Sequence, residues 1–427
     1  MVIMTSNRRS LFALTALALL ATTTLCAAQE PPADEQEPPA SEQEPPADEQ
    51  VPEERFWAFG DSLSDNGNLS LLFATDGIDN TFLPPEAYLP FFPLGEDFVP
   101  LQRISTGPTI AEYTAECYGS VLLPSGLAAL LPNGPLAANN FAIYLARATD
   151  NIPGIDFPYQ VAAFAQRVVE TGVDVSQDRA FIFIGANDVF QAFDAAVVPI
   201  AAGGKEADFE AGKAVLDYTL TSIRTYLIGE GGVLTLPNGS QVLVPSLAML
   251  GIFKFIVSSI PNLKYTPIAK QTAKLLQCDE VLEVADELSQ YFGEGLDAIV
   301  ADMKAAHFDV VVLDTAKEFA KIHDNFKKLG FTNRDDDCFL INILNTFANG
   351  IPPTPGVFRD TCSAETTEDF LFIDTVHPTG TVNALLADAL LNDLPCANDE
   401  SSTAKISSNK KSTKKSMKMQ MKKGSKR

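Results

Sequence analysis

Short apolar runs alternate with longer stretches of helical periodicity along most of this 427-residue chain. The apolar runs end in polar residues or glycine, which is typical of strands that are buried on both faces. Between the runs, apolar residues recur at the spacing of one helix face. This alternation predicts an α/β fold, a parallel sheet between helices whose ligands bind beyond the carboxyl ends of the strands. The predicted strands are residues 56–59, 180–184, 252–258 and 310–313, and the predicted helices are 110–117, 158–170, 209–228, 281–305, 315–328 and 380–391.

Residues 1–28 have the charged, apolar and small-residue regions of a secretory signal peptide, in the order typical of one. Arg8 and Arg9 precede an apolar stretch over 11–20, and the small residue Ala28 ends the segment. A charged start, an apolar core and a small residue at the cleavage site, in this order, predict that the segment is cleaved and that the protein is exported. We therefore expect a secreted protein, extracellular or at the cell surface. We expect no transmembrane anchor, because the apolar stretch is shorter than a bilayer requires.

The segments on either side of the domain differ from it in composition. Residues 30–50 repeat EPPADEQ, EPPASEQ and EPPADEQ, and the Pro-Pro pairs and lack of apolar heptad positions exclude a coiled coil. We expect a disordered Pro/Glu-rich linker over 29–54. Residues 401–427 hold 10 Lys or Arg and no acidic residue, so we expect a disordered Lys/Ser-rich tail over 398–427.

The formal net charge of -24 limits the partners of the chain. Residues 56–400 include 45 acidic and 18 basic residues, a balance that repels nucleic acid. An anionic partner therefore has to use the basic tail, which predicts an electrostatic tether to an anionic surface through residues 401–427. A tail that lies on the acidic domain of its own chain is the alternative.

Five cysteines remain after removal of the signal peptide, in a compartment where thiols tend to oxidise. An odd number leaves at least one of them without a partner in the chain. No CxxC or HExxH motif occurs and the three histidines lie far apart, so we expect neither a metal nor a cofactor. The five cysteines are Cys117, Cys278, Cys338, Cys362 and Cys396.

Candidate catalytic residues follow the ends of apolar runs. The first predicted strand continues into GDSLSDNGN, which places Ser62 at the carboxyl edge of the sheet, where a nucleophile belongs. A serine needs a base, and we expect His307 and His323 to be structural or exposed. His377 follows an apolar run, and Asp374, three residues earlier, can fold back to accept a hydrogen bond from one ring nitrogen. The other ring nitrogen could then take the serine proton.

Negative charge on a substrate carbonyl oxygen needs hydrogen-bond donors that already point at it. The second predicted strand ends in GAND, which offers the side-chain amide of Asn187 at the same edge of the sheet. The backbone N–H groups of Gly107, in STGP, and of Ser62 are the other candidate donors. Taken singly, each of these motifs is equally typical of a polar turn.

Taken together and in order, six blocks resemble the GDSL esterases and lipases, also called SGNH hydrolases, and most closely their plant-type and haemolysin-like branch. The blocks are FGDSLSDNGN, STGPTIAEYTAE, NNFA, IGANDVF, IPNLKYTP and DTVHPTG. The resemblance implies a three-layer α/β/α sandwich with a mainly parallel, flavodoxin-like sheet over residues 55–397. The roles that it implies are nucleophile for Ser62, base for His377, orienting acid for Asp374, and oxyanion donor for Ser62, Gly107 and Asn187.

The chain departs from the pattern of this family at several positions. Pro108 stands where relatives commonly carry Arg, Arg147 where they carry Gly, and Ile373 where many carry Trp. The spacing of Cys338 and Cys362 is similar to that of a disulfide in the family, so the resemblance implies that these two pair. The pairing of the other cysteines stays open.

The resemblance implies a secreted serine ester hydrolase that works through an acyl-enzyme on Ser62. Relatives act on phospholipids, acylglycerols and acetylated sugars, so the expected substrate is an ester of a lipid or an acylated sugar. The alternatives are an acyltransferase with the same acyl-enzyme, and a non-catalytic protein that its basic tail tethers to a surface. The aromatic-rich segment 71–104, which includes Phe91 and Phe92, could wall an acyl pocket or cap the core.

Overall fold

The computed structural model describes residues 54–75, 103–127, 136, 138–150, 152–236, 239–340, 357–392 and 394. The predicted signal peptide, the basic tail and the linker up to residue 53 lie outside these residues, as does most of the aromatic-rich segment 71–104. Glu54 is the first residue described. Its carboxylate pairs with Arg179 at 2.6 Å and with Lys254 at 3.1 Å, which fastens the start of the domain to two strands of the sheet.

The strands of the described residues are β1 (Phe56–Gly60), β2 (Arg179–Phe183), β3 (Gly232–Thr235), β4 (Gln241–Val244), β5 (Lys254–Ser258), β6 (Asp309–Leu313), β7 (Asn333–Asp337), β8 (Phe339–Leu340), β9 (Val357–Phe358) and β10 (Phe370–Phe372). Among them, four parallel strands form the central sheet in the order β1-β2-β5-β6. Three smaller pairings accompany it: β3 with β4 and β8 with β9 are antiparallel, and β7 with β10 is parallel.

The helices connect these strands and carry their apolar faces toward the sheet. They are α1 (Asn68–Thr75), α2 (Ile110–Cys117), α3 (Phe157–Thr171), α4 (Ala186–Ala201), α5 (Phe209–Leu227), α6 (Pro267–Leu276), α7 (Glu280–Ala305), α8 (Thr315–Asp324), α9 (Phe326–Leu329) and α10 (Gly380–Leu391).

Both faces of the central sheet are covered by helices. Successive residues of a strand point to opposite faces, and in β1 the Trp57 ring packs against Phe164 of α3. Phe56 points the other way and lies beside Tyr118, the residue that follows α2. Helices α4, α5 and α7 pack with one another, and α3 contacts α5, whereas α2, α8 and α10 form the opposite layer. The predicted α/β fold with a parallel sheet inside a three-layer sandwich is confirmed.

Two details of the predicted elements are wrong. The range 315–328 is not one helix, because Asn325 interrupts it and donates its side-chain amide to the carbonyl of Lys321 at 2.9 Å. Strand β6 is not buried on both faces. It lies at the edge of the described sheet, and Val312 is 38% exposed there.

The length and polarity of the helices bear on membrane insertion. Within the residues that the structure describes, no helix combines the length and the apolar character that crossing a bilayer demands.

Candidate active site

A tight turn at the end of β1 presents Ser62 at the carboxyl edge of the sheet. The carbonyl of Asp61 accepts the N–H groups of Ser64 and Asp65, both at 3.0 Å, and this reverses the chain immediately after the strand. Gly60 allows the close approach that the turn needs, because a methyl group on it would lie 2.3 Å from the carbonyl oxygen of Phe183 in β2.

Ser62, His377 and Asp374 form a continuous hydrogen-bonded chain. The Ser62 Oγ lies 2.7 Å from His377 Nε2, and His377 Nδ1 lies 2.7 Å from Asp374 Oδ2. All three side chains are buried. An imidazole that accepts a serine hydroxyl through one nitrogen and donates to a carboxylate through the other can remove the serine proton. The structure therefore brings together the three residues that the sequence singled out as nucleophile, base and orienting acid.

Asp374 is held as a charged acceptor. The N–H groups of Val376 and His377 donate to its Oδ1 at 2.9 and 2.7 Å, as the folded-back turn of the sequence analysis requires. Burial raises the pKa of Asp374, but His377 and these backbone N–H groups outweigh burial and hold that pKa below its ordinary value. A charged Asp374 stabilises the imidazolium that forms when His377 takes a proton.

The backbone around His377 is fixed on both sides of the residue. Ahead of it, the Ile373 N–H donates to the His377 carbonyl at 2.9 Å, and beyond it the Thr379 N–H donates to Leu371 at 3.0 Å. The ring of Tyr144 lies 5.7 Å from the His377 ring, centroid to centroid. These contacts restrict the imidazole to the position in which it meets Ser62.

Asn187 lies in the first turn of α4, directly after β2. Its side-chain Nδ2 donates to the carbonyl of Ala146 at 2.9 Å, and the residue lines the same cleft as Ser62 and His377. Gly185, which precedes the helix, has a left-handed φ of 116°, and a methyl group on it would lie 2.3 Å from the ring of Phe292. A glycine is therefore required to start α4 at this edge of the sheet.

Gly107 occupies a different position from the other predicted site residues. Its N–H lies 3.4 Å from the Ser105 hydroxyl, and its backbone packs against Gly380, the first residue of α10. Gly107 is not among the residues that line the cleft beside Ser62. The structure thus brings Ser62, Asn187, Asp374 and His377 together and places Gly107 against the start of the helix that follows His377.

A segment around Leu145, which the sequence motifs did not single out, borders the site. Leu145 has a left-handed φ of 64°, rare for a residue with a side chain, and lies between Tyr144, beside His377, and Ala146, which accepts from Asn187. Asp65 holds this segment, because its Oδ2 accepts the Tyr144 N–H at 2.9 Å. The sequence feature that could have indicated this segment is the NNFA block, because it ends two residues before Tyr144.

Buried carboxyl groups surround the nucleophile turn. Burial raises the pKa of Asp61 to about 7, and that of Asp65 and Asp188 to about 6, although backbone N–H groups oppose the shift in each case. Asp188 accepts from the Ala148 N–H at 2.9 Å and so connects α4 to the same border segment. In the part of the chain that the structure describes, no group of three or more His, Cys, Asp or Glu side chains could hold a metal ion.

One disulfide is the pair that the resemblance implies. Cys338 and Cys362 form a disulfide. Cys117 is also disulfide-bonded, and Cys278 is free. The other two histidines are not among the residues that line the cleft beside Ser62: His323 is buried with its ring 4.4 Å from that of Tyr265, and His307 follows α7.

Known proteins are similar to this chain over most of its length. The GDSL-like lipase/acylhydrolase family matches residues 56–390. Two GDSL esterase/lipases of Arabidopsis thaliana, one of them APG, are each 23% identical, and the alignments cover 78% of this chain and 88% of each relative. The acetylxylan esterase Axe2 of Geobacillus stearothermophilus is a structural neighbour with a TM-score of 0.32 and 14% identity, covering 79% of this chain and 91% of that chain. Because the family match spans most of the sequence, the chain belongs to the GDSL-like lipase/acylhydrolase family and is a hydrolase of ester bonds.

Proposed function

We propose that the chain is a secreted serine hydrolase that cleaves esters through an acyl-enzyme on Ser62. The observation that carries this proposal is the pair of 2.7 Å contacts that join Ser62 Oγ to His377 Nε2 and His377 Nδ1 to Asp374. In this geometry His377 acts as the general base for Ser62. Asp374 holds the imidazole in the tautomer whose Nε2 is free to accept the proton.

The reaction proceeds in two steps, formation of the acyl-enzyme and its hydrolysis. Ser62 Oγ bonds to the acyl carbon while its proton moves to His377 Nε2, and the carbon–oxygen bond to the alcohol then breaks as His377 returns the proton to the leaving oxygen. Water attacks the acyl-enzyme in the same way and regenerates Ser62. The Ser62 N–H and the Asn187 amide are the oxyanion donors best supported by the cleft. Gly107, the third predicted donor, is not among the residues that line the cleft, and its N–H faces the Ser105 hydroxyl.

Labelling with an alkyl fluorophosphonate tests the acyl-enzyme directly. We expect one covalent adduct on the Ser62 peptide by mass spectrometry, and loss of both labelling and p-nitrophenyl butyrate hydrolysis in Ser62→Ala and His377→Ala. Ser64→Ala is the matched control, since Ser64 lies in the same turn and its buried hydroxyl has no hydrogen-bond partner among the described residues. Full activity of Ser62→Ala, or an adduct on another residue, would contradict the proposal.

The terminal segments, which lie outside the described residues, supply the remaining part of the proposal. We expect secretion with cleavage before Gln29, which N-terminal sequencing of the exported protein would detect. We also expect residues 401–427 to tether the enzyme to an anionic surface, because they carry 10 positive charges and no negative one. Retention on heparin or silica should fall steeply as salt is raised to physiological levels. Deleting 401–427 should abolish retention without changing ester hydrolysis, and equal retention by the truncated enzyme would exclude the tether.

A further inference from the structure

A cleft that is partly open to solvent begins at Ser62 and has mostly apolar walls. One wall is the first turn of α4, and the other is formed by the segment after β5 together with α8 and β10. The apolar residues on these walls are Leu63, Ala186, Val189, Phe190, Ile260, Pro261, Leu263, Phe319, Phe372, Val376 and Pro378.

Among the described residues, the polar side chains that line the cleft already have assigned partners or roles. They are Ser62, Asn187, His377 and Thr266. The Thr266 hydroxyl donates to the Leu263 carbonyl at 2.7 Å and accepts from the backbone of α6, so it serves as a helix cap. A sugar ring would bring several hydroxyl groups into contact with these apolar walls. Those hydroxyl groups would lose their hydration without gaining hydrogen-bond partners. An acyl chain, in contrast, gains free energy from leaving water in such a cleft.

The orientation of the reaction decides which half of the substrate, the acyl group or the alcohol, meets the apolar wall of the cleft. In the proposed mechanism the leaving oxygen faces His377, because His377 supplies its proton, and the carbonyl oxygen faces Asn187. Ala186, Val189 and Phe190 lie on one face of the helix turn that carries Asn187. The acyl chain, which continues from the carbonyl carbon, therefore meets this apolar wall.

We propose that this cleft binds the acyl chain of the substrate and that the enzyme prefers esters of acyl chains longer than acetyl. The inference rests on the proposed serine mechanism and narrows its substrate class. Each methylene that enters the cleft contributes about 0.8 kcal/mol, which corresponds to about a 4-fold gain in kcat/KM per added methylene until the cleft is filled. Phe190, a half-buried residue of the wall beside Asn187, is the specificity-determining residue that the geometry favours most.

The test compares kcat/KM along p-nitrophenyl acetate, butyrate, hexanoate and octanoate for the full-length enzyme and its variants. We expect a rise along the series, and in Phe190→Ala a loss that is at least 5-fold larger for octanoate than for acetate. Phe308→Ala is the matched control. Phe308 is also half-buried, but it stacks on Phe253 at the opposite end of the sheet, so the ratio of octanoate to acetate should match that of the original enzyme.

Two outcomes separate failure of this inference from failure of the proposed function. Hydrolysis of all four esters that survives in Ser62→Ala would overturn the serine mechanism itself. Hydrolysis that depends on Ser62 but does not increase with acyl length, or an equal loss for acetate and octanoate in Phe190→Ala, would overturn the acyl cleft alone. A second series with a fixed acetyl group and ethyl, butyl or hexyl alcohols checks the orientation. A larger Phe190→Ala effect in that series would place the alcohol, and not the acyl chain, in the cleft.

Discussion

Gly107 and Gly380 are in direct backbone contact. A methyl group on Gly107 would lie 3.0 Å from Gly380 Cα, and one on Gly380 would lie 2.5 Å from the Gly107 nitrogen. The Gly380 N–H also donates to the Thr106 hydroxyl at 2.6 Å. Since Gly380 begins α10 three residues after His377, this contact fixes the helix that supports the catalytic base.

Gly380→Ala should therefore displace the segment that carries His377. A misplacement of about 1 Å in a reacting group can lower the rate by about 100-fold, so we expect kcat to fall by up to that factor with a smaller change in KM. Steady-state kinetics at a temperature where the variant is folded would measure this. Gly293→Ala is the control, because Gly293 lies within α7 with no atom near the added methyl group and alanine favours the helix. A Gly380→Ala enzyme with unchanged kcat would show that the contact does not position His377.

Asn187→Ala tests the oxyanion assignment. Removal of one such donor typically slows the chemical step by about 100- to 1000-fold, and we expect this loss in kcat with little change in KM. Asn325→Ala is a matched control, since the Asn325 amide also donates to a backbone carbonyl at 2.9 Å but lies after α8 and away from the cleft. A comparable loss in both variants would indicate a structural role for Asn187 in place of an oxyanion role.

The four strands of the central sheet and most helices could be predicted because their apolar spacing is a local property of the sequence. Helix α4 escaped prediction because it is apolar on several sides and contains Pro199, which blurs the helical period. The break at Asn325 depends on a side-chain hydrogen bond to Lys321 that competes with the helix. The exposure of β6 depends on its place in the sheet, which strand order alone decides.

The parts of the site that depend on contacts between residues far apart in the sequence could not be predicted from local patterns. Asp374 and His377 are three residues apart, so their contact follows from a local turn, whereas Ser62 lies 315 residues from His377 and meets it only through the tertiary fold. The position of Gly107 depends on how residues 105–107 pack against α10, to which Asn383 adds a hydrogen bond with Ser105 at 3.0 Å. The motif could indicate why a glycine is needed there but not what it contacts.

The disulfide between Cys338 and Cys362 braces the segment that leads to Asp374. The Cys338 N–H donates to Phe372 at 3.3 Å, and the next residue, Phe339, donates to Ile373 at 2.7 Å, directly before Asp374. The two cysteines are 24 residues apart in sequence. Loss of such a cross-link lowers the free energy of unfolding by about 3 kcal/mol, because the unfolded chain gains conformational freedom.

Replacing both Cys338 and Cys362 by serine should show this loss as a lower midpoint in urea denaturation, with activity disappearing at lower temperature. Serine variants are preferable to a reducing agent, which would also open the disulfide of Cys117. Cys278→Ser is the control, because Cys278 is free and only half-buried. A double variant that unfolds at the same urea concentration as the original enzyme would contradict the bracing role.

The burial of Asp61, the residue before the nucleophile, predicts that stability depends on pH. Burial raises its pKa from 3.8 to about 7, against the opposing N–H group of Leu63 and the charge of His377. One of its carboxylate oxygens has no hydrogen-bond partner among the described residues. Between pH 3.8 and about 7 the folded protein keeps a proton at Asp61 that the unfolded chain has lost. The free energy of unfolding therefore falls as pH rises through this window, by at most about 1.4 kcal/mol per pH unit for this one group.

Asp61→Asn should remove this contribution, because the amide keeps an acceptor for the Leu63 N–H and carries no charge to bury. The expected result is a gain in stability relative to the original enzyme that is larger at pH 8 than at pH 5, measured by urea denaturation at both values. Ser64→Ala changes the same turn without removing a titrating group, so its stability should keep the pH dependence of the original enzyme. If Asp61→Asn shifts stability equally at pH 5 and pH 8, the proton at Asp61 is not what couples folding to pH, and the cost of burying this carboxyl group is met in some other way.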